Sequence, residues 1–223
     1  MAYSPNGQNV FPVGVFGLEE IELEVKEEYS EPKGNLVITA PVMFGRRYVL
    51  PIVTEFLSLH SNINVQLELS DKNINLYDNE VDMAVRIGAL PDSSMIATLV
   101  GTLRLVTCAS AKILNKKVKI LSPNDLVNLP FVSLKIASTR QQWSYSLPES
   151  EISFNVNIFP RLTITDSESV VKAAINGVGA TQQLHYQVKD AIENGELKVL
   201  LPEFEPANIP VNLVHKSRKY MPQ

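Results

Sequence analysis

The chain has 223 residues, 45% of them hydrophobic and 20% charged, with a net charge of −4. That is enough for one large core or two small ones, and it is the balance of a soluble folded protein rather than a disordered one. The acidic balance excludes a free-standing DNA binder, because neutralising phosphates supplies most of that affinity; Lys116-Lys117 with Lys119, and Lys216 to Lys219, are too short to track a phosphate backbone.

A lone cysteine, Cys108, excludes an internal disulfide framework and a cysteine-based zinc site. Within the apolar run Leu105 to Ala109 it reads as a small buried hydrophobe. No basic segment followed by a long apolar stretch marks a signal peptide, and no apolar run approaches the ~20 residues of a membrane span. The expectation is a cytoplasmic protein with no membrane partner.

In chain order, residues 1–33 form a leader, in which Leu18 to Tyr29 is acidic and helix-permissive before Pro32 and Gly34 break it. Leu36 to Thr39 predicts a strand closed by Ala40-Pro41. A helix follows to about Leu59, with Phe44, Tyr48, Ile52 and Phe56 in one stripe and Val49, Val53 and Leu57 beside it. That arc is wider than one sheet face needs, so the helix either buries both stripes or shares one with a partner subunit. Pro51 should bend it.

Val65 to Leu69 alternates as a half-buried strand, a short helix is expected near Ile74 to Asn79, and Met83 to Ile87 forms the next strand. Strands alternating with helices at this spacing mean a parallel sheet wound by right-handed crossovers. Arg104 to Ala109 is a strand, Pro123 to Leu129 a short helix and Phe131 to Leu134 a strand. Gln141 to Ile158 alternates like antiparallel or edge strands around Pro148-Glu149.

Arg161 to Ile164 leads into a Thr165/Glu168 capping box that opens a helix ending at Asn176-Gly177. Val178 to Thr181 is a buried strand. A helix to about Glu193 then stops at Asn194-Gly195, and Lys198 to Leu201 and Val211 to His215 complete the strands. Two strand-and-helix groups without a low-complexity linker favour two lobes joined by crossing strands.

Catalytic chemistry fails on inventory. His60, His185 and His215 lie on separate elements without metal-ligand spacing, and no nucleophile elbow, P-loop or H-E-x-x-H motif occurs. Gly177-Val178-Gly179 follows a helix and precedes a strand, the reverse of a dinucleotide loop, so it reads as a helix cap plus a close backbone approach. Binding fares better. Three expected helix starts follow strand ends, at Pro41 to Phe44, Cys108 to Ser110 and Thr165 to Ser167, where free N–H groups favour anions or carbonyls.

Several segments resemble the effector-binding domain of LysR-type transcription regulators in order and spacing. They are Gly34 to Arg47 (GNLVITAPVMFGRR), Asp82 to Gly88 with Leu90 to Ser94, Leu105 to Ser110, Ala173 to Ala180, and Val211 to Pro222. The resemblance covers Gly34 to the C-terminus. It implies an α/β fold of two Rossmann-like lobes joined by two crossover strands, like the type II periplasmic binding proteins. The crossovers fall near Leu103 to Cys108 and Ala207 to Leu213. Lobe I would comprise 34–105 and 210–223, and lobe II 106–209.

It also implies a small effector, an organic acid or aromatic metabolite, bound between the lobes by Val42, Met43, Phe44, Arg86, Thr107, Phe131, Thr165 and Thr181, with no cofactor and no metal. Arg86 has a competing structural reading, an ion pair with Asp82 or Asp92. A homodimer would form through the first helix (Tyr48, Val49, Ile52, Val53, Phe56) and a neighbouring strand, and tetramers in full-length relatives. Promoter DNA would be reached through an N-terminal helix-turn-helix that 33 residues cannot hold. The family's C-terminal helix after Pro222 is missing too, so a fragment is expected. The subgroup's usual hydroxyl residue is replaced by Met43, and polar Thr181-Gln182-Gln183 stands where an apolar stretch is usual. Rival readings are a solute-binding protein of the same fold, an enzyme on this scaffold, and a dimerisation-only module.

Overall fold

The computed structural model describes residues 32–72, 81–90, 95–114, 119–135, 141–148, 150 and 152–215. The helices expected at Leu18 to Tyr29 and near Ile74 to Asn79 lie outside these residues.

The first lobe is built on a five-stranded sheet in the order β2-β1-β3-β12-β4. β1 (Gly34–Ala40) pairs in parallel with β2 (Ile63–Leu69) and β3 (Met83–Ile87), as the βαβ spacing predicts. β12 (Ile209–His215) returns from the far end of the chain to lie antiparallel between β3 and β4 (Ile96–Leu103). β4 is missing from the sequence reading. It is an edge strand whose Ile96, Leu99 and Val100 are exposed, so the inside–outside alternation that reveals a half-buried strand is absent.

Between β1 and β2 the chain runs helically over 42–59: a turn of α-helix at Val42–Phe44, a π-helical turn at Gly45–Val49, and helix α1 (Leu50–Leu59). The expected bend takes the form of that π-turn. Pro51 offers no N–H to the carbonyl of Arg47 and its ring crowds that carbonyl, so the hydrogen-bond ladder is rerouted, with Leu50 N–H donating to Gly45 O. Val49 and Val53 are buried beneath the helix, with Leu57 packed against the same core as Val65, Leu67 and Ile38.

A single residue, Arg104, separates β4 from β5 (Leu105–Ala109), so the predicted Arg104 to Ala109 strand begins where the chain changes sheets. β5 is the centre of the second lobe, flanked antiparallel by β10 (Thr181–Leu184) and β11 (Lys198–Leu200). A parallel pair, β6 (Val132–Leu134) and β9 (Leu162–Ile164), joins through a Phe131–Ala180 bridge, and β7 (Gln141–Ser146) forms an antiparallel hairpin with β8 (Ser153–Ile158). Pro123–Asn128 is a 3-10 helix. Two cores fill this lobe. One lies under α2 (Ser167–Ile175) and α3 (His185–Glu193), around Val106, Cys108, Val170, Val188 and Leu197. The other lies under the hairpin, around Leu126, Phe131, Trp143, Tyr145 and Ile158.

Three local expectations are corrected. The strand placed at Val178 to Thr181 starts at Thr181, because the preceding residues are spent on ending α2. The cap of α2 is Asp166, not Thr165: its carboxylate accepts the N–H groups of Glu168 (3.3 Å) and Ser169 (2.8 Å). Ser110 opens a turn rather than a helix, with Ile113 N–H bonded to its carbonyl. Both Asn-Gly stops hold. Gly177 (φ +82°) and Gly195 (φ +73°) take left-handed conformations that let Val178 and Glu196 donate back to Ala173 O and Ala191 O, the double closure of a Schellman motif.

Candidate functional site

The lobes meet where the helix after β1 faces α3. Tyr186, on the first turn of α3, inserts against lobe I. Its ring stands edge-on to Phe44 (centroids 5.5 Å apart, 88°) and to Tyr48 (5.8 Å, 68°), and Phe44 and Tyr48 are themselves 4.9 Å apart. Such tilted arrangements suit the ring quadrupoles. Burial pushes the Tyr186 phenol up, so it stays neutral over the ordinary pH range. Beside these rings Arg47 forks onto Asp190 (2.8 and 3.0 Å) and donates to Tyr186 O (3.2 Å), while Arg46 reaches Glu168 at 3.3 Å. The hydrogen bond from Arg47 holds the Asp190 carboxyl below its usual range.

The helix starts expected to hold anions are already furnished with carboxylates. Val42 N–H donates to Asp71 Oδ1 at 2.9 Å, and Asp166 caps α2. Asp166 sits below the ordinary carboxyl range because of its hydrogen bonds to Ser169 and Glu168, so it is charged at neutral pH. An incoming anion at either end would meet a fixed negative charge. Close to the first of these, at the C-terminal end of β1, Thr39 is fully buried and its Oγ1 has no hydrogen-bond partner among the described residues. A buried polar atom left unmet is uncommon and costs about 1–3 kcal/mol.

Residues 30–223 match the family model described as the LysR substrate binding domain. This chain belongs to that family. An uncharacterized HTH-type transcriptional regulator of Haemophilus influenzae is 26% identical over 205 residues, which is 92% of this chain and 70% of that protein. The HTH-type regulator YhjC of Escherichia coli is 29% identical over 206 residues, 91% of this chain and 68% of that one. Among solved structures, the regulatory domain of the LysR-type regulator CrgA from Neisseria meningitidis superposes with a TM-score of 0.71 at 23% identity, covering 86% of this chain and 93% of that chain. The full-length Vibrio cholerae activator AphB gives 0.74 at 19% identity, covering 93% and 70%. These likenesses carry the two-lobed, periplasmic-binding-protein-like fold.

Within this LysR regulatory domain the expected effector residues are only partly assembled. Val42 and Met43 are half-buried near the lobe junction and Phe44 is in it. Thr107 is tied into the core of lobe II. Its hydroxyl is buried and bonded to Tyr145 Oη at 2.8 Å, with Gln182 Nε2 at 3.4 Å. Phe131 is core, edge-on to Trp143 at 5.0 Å. Thr181 is fully buried and accepts from Gln183 Nε2 at 3.1 Å. Thr165 is exposed beside the α2 cap. Arg86 is half-buried on the sheet face that carries Ala84, away from the helix, and desolvation lowers its pKa. The Asp82 carboxylate accepts Val37 N–H, and Asp92 lies outside the described residues.

The polar run Thr181-Gln182-Gln183 therefore has a structural use. Gln182 also donates to Ser144 O at 3.0 Å, stitching β10 to the hairpin, and Gln183 satisfies Thr181. Removing the Thr107 hydroxyl strands the Tyr145 phenol in the core, whereas removing the phenol leaves Thr107 with only its longer bond from Gln182. Tyr145→Phe is expected to cost about 1–2 kcal/mol, and Tyr145→Phe with Thr107→Val less than the sum of the singles. Chemical denaturation of the four proteins measures the coupling, and strict additivity would mean that the bond contributes nothing.

Cys108 is buried and its thiol is pushed up to about 12 by desolvation, as befits a core residue rather than a nucleophile. Sequence reasoning did not find Asp71, Tyr186 or the acidic partners of Arg46 and Arg47. Each acts across 29 to 143 residues of chain, and no local pattern announces such pairs.

Proposed function

We propose that this domain senses a small effector between lobes I (34–105 with 210–223) and II (106–209), and that it dimerises through the helical segment 42–59 and an edge strand. The observation that carries the sensing role is the Thr39 hydroxyl, which has no partner among the described residues; it lies at the end of β1, on the Ala84 face, near the strand ends where open α/β sheets take ligands. Asp71 and Asp166 charge both helix starts negatively, and Met43 adds an apolar surface, so the effector is an uncharged aromatic compound rather than an organic acid. The dimer is supported by apolar side chains left in water on the helical segment, Leu50, Ile52 and Leu59. Tyr48, Val49 and Val53 serve the chain's own core instead, which leaves Ile52 and half-buried Phe56 of the expected interface residues for a partner. Tetramer formation and promoter binding would belong to a longer protein that carries a DNA-reading domain.

Thermal melts with benzyl alcohol, benzoate and succinate test the sensing role. At about ten times its dissociation constant a ligand stabilises by about 1.4 kcal/mol, a rise of roughly 3–5 °C for a chain of this size. Benzyl alcohol should give the largest rise, and Thr39→Val should abolish it. A flat response to all three compounds sinks the sensing role, and a larger rise with succinate sinks the assignment of effector class. Light scattering should return twice the 24.8 kDa chain mass, and the single-chain mass in Ile52→Asp.

A further inference from the structure

We propose that Arg46 and Arg47 form a two-pronged latch that sets the resting angle between the lobes. The two arginines are consecutive and lie in the π-turn Gly45–Val49. Successive helical residues point in directions roughly 90–100° apart, so neighbouring side chains diverge and can grip two different helices. Arg46 takes Glu168 in the first turn of α2, and Arg47 takes Asp190 in α3. Both grips join segments more than 120 residues apart in sequence.

The two pairs differ in kind. Arg47 binds bidentately and adds a bond to the backbone of Tyr186, which fixes both distance and orientation. Arg46 meets a carboxylate already held by Lys172 at 2.8 Å, so Glu168 is positioned before the lobes come together. The rings of Phe44, Tyr48 and Tyr186 sit on the same helical turns and make the junction apolar beside the ions.

A second clamp acts at the hinge itself. Arg104, the one residue between β4 and β5, forks onto Glu205 (2.8 and 2.9 Å) just ahead of β12. The two strands that cross between lobes are thus tied together at one end, and the free coordinate is rotation about that tie. The latch is placed to govern this rotation. Its prongs are partly exposed, so each shifts the balance of lobe angles roughly two- to fivefold rather than locking it. That is the range in which an equilibrium can still be moved by a ligand. The latch stands whatever occupies the space between the lobes.

Spin labels at Ser58→Cys on α1 and Lys198→Cys on β11 report the angle as a distance distribution. Both positions are exposed, and buried Cys108 will not label. Labelled protein is diluted with unlabelled protein so that each assembly carries one labelled copy. Arg47→Glu should broaden the distribution and shift it, Arg47→Glu with Asp190→Arg should restore it, and Arg46→Gln with Arg47→Gln should move it further than either glutamine change alone. Raising salt from 0.1 to 1 M, which shortens the screening length from about 10 Å to about 3 Å, should shift the parent in the same direction. If Arg47→Glu fails to fold, the glutamine variants decide. A distribution unmoved by the glutamine pair, or a charge swap that fails to restore it, overturns the latch.

Discussion

Gly179→Ala is expected to lower the stability of the domain by about 3 kcal/mol, the upper part of the usual overpacking range. A methyl group there would lie 2.5 Å from the backbone carbonyl carbon of Phe131, 2.8 Å from its Cα and 2.8 Å from Pro130 O. These are main-chain atoms, which cannot swing aside as a side-chain tip can. Pro130 and Phe131 are held against the Gly179 segment by the bonds Ala180 N–H to Pro130 O (2.8 Å) and Val132 N–H to Ala180 O (2.9 Å). Relieving the clash therefore breaks the bridge that seats β6 beside β10. For a chain of this length the melting temperature should fall by roughly 6–12 °C. Thermal unfolding followed by Trp143 fluorescence reads this directly, and a loss of less than about 2 °C would show that the main chain at Phe131 yields at little cost. Gly45→Ala offers a contrast: its methyl would meet chiefly the end of the Leu69 side chain, which can turn away, with Ala40 Cβ at 3.2 Å the firmer but milder contact.

The second large effect belongs to Trp143. It is 4% exposed, packs edge-on against Phe131, and shares the inner face of β7 with Tyr145. The β7–β8 hairpin pairs only with itself among the strands described here, so its attachment to lobe II runs through side chains, these together with the bonds from Gln182 to Ser144 O and from Gln141 to Leu134 O. Truncating a buried tryptophan to alanine costs about 3–5 kcal/mol, and here the loss should fall on one element. Trp143→Ala should let the amides of β7 and β8 exchange far faster while β1 to β3 keep their protection. Exchange that rises evenly over both lobes would contradict the account of the hairpin as a side-chain-anchored unit.

The backbone plan was largely legible in the sequence because its signals are local. Period-two spacing marked β2 and the hairpin, period-3.6 spacing the helix after β1, short apolar runs closed by Ala40-Pro41 and Gly88 marked β1 and β3, and the two Asn-Gly pairs marked the ends of α2 and α3. Where two local signals competed, the reading went astray. Thr165-x-x-Glu168 and Asp166-x-x-Ser169 are both capping patterns, and the carboxylate took the cap while Glu168 turned to Lys172 and Arg46. β4 was missed because an edge strand exposed on most of its positions has nothing to alternate against.

The site was less legible still. Thr107 and Thr181 sit on the strands expected of them and Phe131 on the bridge just ahead of β6, yet their side chains serve the core of lobe II, because which way a strand residue points depends on the register it finds with partners far along the chain. Asp71 and Tyr186 reach the lobe junction from segments that carry no motif.

The place of β12 has a consequence for how the molecule comes into being. This strand lies between β3 and β4, so the sheet of lobe I is interrupted until residues 209–215 arrive. Everything in the sheets of lobe II lies between Leu105 and Leu200 and can condense from nearby pieces. Lobe I must instead wait for a partner more than 100 residues downstream of β4, and closing so long a loop is slow. On the ribosome the order is then inside out. The inserted lobe is expected to form first and the lobe encoded first to be finished last, with β4 and one edge of β3 unpaired in the interval. That interval is when the chain is most open to aggregation and most in need of a chaperone.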